Sequence, residues 1–132
     1  MNPTPRPVFL NLVQIRLPIA GFMSILHRLS GVLLFAFIPF VLYLLQLVLS
    51  GEAGYQQASE LLSNPLVILA CFGLFWGLSH HLLAGIRYLL MDIHVGVDAP
   101  VHRYTAWLVT LLAPVMALLI TGGVLGVTCW PV

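Results

Sequence analysis

Three long apolar runs, at about 21–49, 65–91 and 104–127, constrain this chain more than anything else in it. A hydrocarbon core about 30 Å thick is crossed by about 20 residues of helix, and each run is long enough. Lipid offers no partner to a bare peptide group, so each run must close its own backbone hydrogen bonds as a helix. The expected fold is an all-α membrane protein with three transmembrane helices. Composition agrees, since only 7% of residues are charged, against roughly 25% in a soluble domain. The 132 residues read as a single membrane-anchor domain in the lipid bilayer. With five basic residues, four acidic ones and no basic patch, nothing points to nucleic acid as a partner.

The connecting segments set topology. Residues 1–20 carry Pro3, Pro5, Pro7 and Pro18, which oppose a long helix and predict an extended arm ending in a short interfacial piece. They also lack the early apolar core of a cleavable signal. Residues 51–63 form a polar loop with Glu52 and Glu60 and no basic residue. A second loop, 92–103, holds Asp92, His94, Asp98, His102 and Arg103. The chain has no lysine, and Arg6, Arg16, Arg28, Arg87 and Arg103 all fall on one side of a three-span layout. The positive-inside rule makes that side the cytoplasm, or the matrix in an organelle, giving an N-terminus inside and a C-terminus outside. Tyr104 and Trp107 on the inner side and Trp130 on the outer side suit aromatic belts. Cys71 and Cys129 stand in apolar runs without metal or haem-attachment spacing.

Polar residues inside the spans carry the functional signal. Gly73, Gly77, His81 and Gly85 recur every fourth residue and so share one helix face. Such a stripe admits either a second helix or the plane of a large ring. His81, central in it, is a candidate axial ligand of haem iron. His80 projects about 100° away and is the weaker candidate. In the first span, Ser24 and Arg28 lie one turn apart with His27 beside them, so a hydroxyl, an imidazole and a guanidinium crowd one end of one helix. An arginine near a helix end can snorkel to the surface or serve as polar glue between helices. The cluster also suits an oxygen-rich ligand such as a quinone carbonyl or a propionate. Counting along each helix puts His81 about 16 Å and His27 about 9 Å from the inner end. That mismatch predicts that the two cannot share one iron, and that a second ligand comes from another chain. A unit of three spans has little interior of its own, so its polar residues are expected to face a partner.

Two stretches resemble the cytochrome b subunit of bacterial succinate dehydrogenase. One is Arg6-Pro7 through Ile15-Arg16 and Pro18, followed by Ser24-Ile25-Leu26-His27-Arg28-Leu29-Ser30-Gly31. The other is His81 with Gly85-Ile86-Arg87 and Met91-Asp92. With the three-span layout the resemblance covers nearly the whole chain. It implies a second small membrane-anchor subunit holding a shared haem b with this one and supplying the other haem ligand. It also implies an iron–sulfur subunit and a flavoprotein subunit docked on the inner face, and ubiquinone as the substrate. Carried over by position, His81 is the haem iron ligand given by this chain. Ser24 and Arg28 line the quinone site, and His27 and Arg28 lie near the haem propionates. Tyr88 departs from relatives that carry a histidine there. On this reading the chain passes electrons from the iron–sulfur subunit to ubiquinone and holds no complete active site alone. The alternatives are an anchor of a fumarate reductase using a low-potential quinol, or a haem-free structural membrane subunit. A transporter fits worst, with three spans and no acidic residue at mid-depth.

Overall fold

The computed structural model describes residues 17–128, which form four helices and no strand: α1 (Ile19–Leu49), α2 (Glu52–Ser63), α3 (Pro65–Asp92) and α4 (Ala99–Thr128). Three of them, α1, α3 and α4, are long and apolar enough to cross a membrane. α1 continues through Pro39 and α4 through Pro114, as spanning helices do when neighbours cover the freed carbonyl. The arm before Leu17 and Trp130 lie outside the described residues.

Two connections differ from expectation. The polar segment 51–63 is a helix rather than a loop. Its core, Gln56 to Leu62, is built mostly of good helix formers. Gly51, at φ 102°, supplies a backbone conformation that only glycine adopts freely, and so reverses the chain after α1. α2 then folds back with Ala58 buried, and Gly54 rests against the Leu47 carbonyl and the Ser50 hydroxyl with no room for a side chain. Asn64 closes α2 through its own N–H to Leu61 O, 3.2 Å, and caps α3 by accepting from the Leu66 N–H at 2.9 Å. Pro65 follows at the first helical position, where its missing N–H costs nothing. The second loop is shorter than expected, because α4 begins at Ala99 and takes in His102 and Arg103. His94, at φ 64°, and Gly96, at φ 75°, turn the chain between α3 and α4.

The spans pack through small residues. Met23, Ala84, Ala106 and Val109 form a buried cluster joining α1, α3 and α4, and Ala113 and Ala117 extend the buried face of α4. Alanines at such positions let helix backbones approach closely, which matters where lipid removes the hydrophobic drive for helices to associate. Several polar groups between the spans follow the rule that buried donors find acceptors. The Thr110 and Thr121 hydroxyls donate to the carbonyls of Ala106 and Ala117, one turn back in the same helix. Arg87 is buried between α3 and α4; its Nε–H donates to Thr105 Oγ1 at 3.0 Å and its terminal N–H to His102 O at 2.9 Å. The chain therefore has more of an interior than three short-looped spans suggest. Ser30, Ser79, His80, Arg87 and Thr121 are all buried within it rather than left for a partner.

Candidate functional site

The glycine stripe on α3 meets this chain's own α1. A Cβ on Gly77 would lie 3.1 Å from Leu33 Cδ2, and one on Gly85 3.7 Å from His27 Nε2, whereas Gly73 has open space. Most of the slot read from the sequence is thus an intramolecular helix contact. The imidazole at its centre is held from the opposite side by Gly31 on α1, where a Cβ would stand 3.0 Å from His81 Cε1 and 3.4 Å from Nδ1.

His81 and His27 stack face to face, with ring centroids 4.2 Å apart and planes 13° from parallel. This corrects the depth count, which put His27 several ångströms shallower. The count took the two helices to begin at one level. His27 is eight residues from Ile19 and His81 eleven from Asp92, so stacking requires α3 to project about 4.5 Å further than α1 at this end. Shared level does not make the pair two ligands of one iron. Axial ligands approach a metal from opposite sides, while these rings lie plane on plane.

The hydrogen bonds of His81 fix its proton. Nδ1 lies 3.1 Å from the His27 carbonyl and 3.2 Å from Ser30 Oγ. A carbonyl has no proton to give, so Nδ1 carries the hydrogen and donates it. The Ser30 hydroxyl points its own proton at the same carbonyl, at 2.8 Å, leaving its oxygen lone pairs to receive from Nδ1. Nε2 is then the basic nitrogen of the ring, and no described residue pairs with it. An imidazole whose far N–H is tied to a backbone carbonyl is the usual state of a metal-ligating histidine. The donor set therefore fits a haem held through His81.

Around this pair, several buried polar atoms have no partner among the described residues: His27 Nε2, both ring nitrogens of His80 and Tyr88 Oη. Tyr88 meets the His27 ring edge-on at 5.3 Å and so packs directly on the stacked pair. His80 is wholly buried beside Trp76, with ring centroids 5.7 Å apart. Periodicity reports which way these residues face and not what waits there. Ser30 was visible only as part of a motif, although its spacing of three from His27 is the signature of a hydroxyl bonding back to the preceding turn.

Ser24 is half-buried and Arg28 exposed on α1. Their four-residue spacing puts both on one face, with Ser24 about a turn before the stacked His27 and Arg28 directly after it. Arg103 and Trp107, with Leu17, Pro18, Ile19, Ala20 and His102, line an open groove of about 490 Å³ where α1 and α4 begin.

A family model described as succinate dehydrogenase/fumarate reductase transmembrane subunit matches residues 2–121. The succinate dehydrogenase cytochrome b556 subunit of Coxiella burnetii is 37% identical over 116 residues, covering 85% of this chain and 93% of that protein. The subunit of the same description from Paracoccus denitrificans is 31% identical over 98 residues, 74% of this chain and 75% of its own length. That from Rickettsia prowazekii is 30% identical over 115 residues, 87% and 90% of the two chains. The match spans all the helices through most of α4, including every residue of the stacked site. The chain thus belongs to the succinate dehydrogenase/fumarate reductase transmembrane subunit family, as a multi-pass protein of the bacterial inner membrane.

Proposed function

We propose that this chain is the haem- and quinone-binding membrane anchor of a succinate:ubiquinone oxidoreductase, passing electrons that arrive from an iron–sulfur subunit on to ubiquinone. The observation that carries the reading is His81, anchored through Nδ1–H to the His27 carbonyl and Ser30, with Nε2 left as the basic nitrogen. The name cytochrome b556 borne by the relatives supports a b-type haem as the group it takes. Haem b bound at His81 supplies a one-electron store beside the quinone site. The stacked geometry of His27 and His81 supports a second axial ligand from a second small membrane subunit. The exposure of Arg28 leaves it free to meet a propionate or a quinone oxygen, with His27 nearby.

At the quinone, this chain's part is electrostatic and positional. The Ser24 hydroxyl donates to one carbonyl oxygen of the ring. Arg28, one turn on, stabilises the negative charge that builds there as an electron arrives. Both residues lie toward the end of the bundle that also carries Arg87 and Arg103, where α3 ends and α4 begins. The positive-inside rule makes that end cytoplasmic, with the N-terminus in, the C-terminus out, and the iron–sulfur and flavoprotein subunits docked on the inner face.

The test compares two electron acceptors in the purified complex. Arg28→Ala and Ser24→Ala are expected to cut quinone reduction by about 100-fold and about tenfold, as for loss of donors aimed at developing charge. Succinate oxidation by an artificial acceptor that draws from the soluble subunits should stay within twofold. Equal loss of both activities would count against the assignment. The family description also covers fumarate reductases, and identifying the copurifying quinone separates the two directions.

A further inference from the structure

Two groups meet at Nδ1 of His81, and a third hydrogen bond ties them to each other. The His27 carbonyl accepts at 3.1 Å, Ser30 Oγ accepts at 3.2 Å, and the Ser30 hydroxyl donates to that same carbonyl at 2.8 Å. Ser30 is fully buried, so no water competes for these bonds. Gly31, next to it, brings the α1 backbone so close that a Cβ would touch the imidazole. The arrangement has one consistent proton assignment. If Nδ1 were unprotonated, its lone pair would face the lone pairs of a carbonyl, with the one hydroxyl proton already committed to that carbonyl.

We infer that Ser30 is a positioning residue for His81: with the His27 carbonyl it holds the imidazole as the Nδ1-protonated tautomer and sets the electron-donating strength of Nε2. This rests on the assignment of His81 as the haem ligand. A hydrogen bond accepted from the far N–H of a ligating imidazole pushes electron density toward the near nitrogen and makes it a more basic ligand. A more basic ligand favours the ferric state. Ser30 contributes one of two acceptors, so its loss weakens the push without removing the ligand. Ser30 does not touch the iron; it acts through the ring.

The experiment uses the purified complex with three variants, read by reduced-minus-oxidised optical spectra, redox titration of the haem band and low-temperature electron paramagnetic resonance of the ferric state. His81→Ala should remove the ferric haem signature of the wild-type complex, and an unchanged signature there would overturn the ligation reading on which this one stands. Ser30→Ala should retain haem, shift the ferric g values and raise the ferrous-to-ferric ratio at fixed potential severalfold. A tenfold rise corresponds to about 59 mV for one electron. Ser30→Cys keeps the size and offers a weaker acceptor, so its shift should fall between wild type and Ser30→Ala. It stands in for the alanine variant should that fail to assemble. Loss of the signature in His81→Ala with no shift in the assembled Ser30 variants would overturn the role of Ser30 alone.

Discussion

The two seams that hold α3 in place use polar side chains in opposite ways. Between α3 and α4, Arg87 gives its protons to Thr105 and His102, and the Thr105 hydroxyl donates to that same His102 carbonyl at 3.2 Å. The helices around it interlock through Ala84, Ala106 and Val109. The arginine donors and the hydroxyl are tied to partners within the chain. Between α1 and α3, His27 Nε2 is enclosed without a partner, and the basic nitrogen of His81 is likewise unpaired among the described residues. Closed polar networks make a fold rigid, whereas a partly open one inside a membrane carries a cost that a bound group can offset. One seam looks built to hold and the other to receive.

That contrast can be broken from either side. The largest effect on the fold should come from Arg87→Ala, which removes the charged donors to Thr105 Oγ1 and the His102 carbonyl. A stability loss of roughly 3 kcal/mol is expected, seen as a lower thermal midpoint of the complex, with the haem spectrum of the folded fraction unchanged. A changed spectrum at full stability would move Arg87 into the receiving seam. Gly31→Ala should act in the reverse sense. Its Cβ meets His81 Cε1 at 3.0 Å, so the ring must shift. The expected cost is about 1–3 kcal/mol for overpacking, accompanied by altered ferric g values. The smallest effect belongs to Gly73→Ala. No described residue stands within 4 Å of a Cβ there, and replacing a mid-helix glycine should stabilise α3 by up to about 1 kcal/mol. Destabilisation of the assembled complex instead would reveal another chain seated on that end of the stripe.

Much of the architecture was legible because lipid imposes one simple rule, and three apolar runs obey it. What escaped detection lay where that rule is silent. The segment 51–63 is too polar to span, and polarity alone does not tell a loop from the turn at Gly51 and the short helix that follows it. His102 and Arg103 were assigned to a loop because charge marks the end of a span but not the start of a helix. The levels of His27 and His81 depended on how far α3 projects past α1, a tertiary quantity with no local signature. His81 stood out from its place in a glycine stripe. Ser30 did not, because a serine beside a histidine in sequence is ordinary until the fold brings a second histidine 51 residues away onto its oxygen.

Asn64 has a role that reaches beyond capping. It closes α2 and opens α3 as the single residue between them, so the angular phase of α3 is handed on directly from a helix whose Gly54 is pressed against the end of α1. An extra residue at this joint has no slack to disappear into and must be absorbed as a turn of about 100° of one helix against the other. That angle is also the one separating His80 from His81. A single insertion there would tend to exchange the imidazole enclosed beside Trp76 for the one stacked on His27, making the short joint between α2 and α3 the index mark for the whole site.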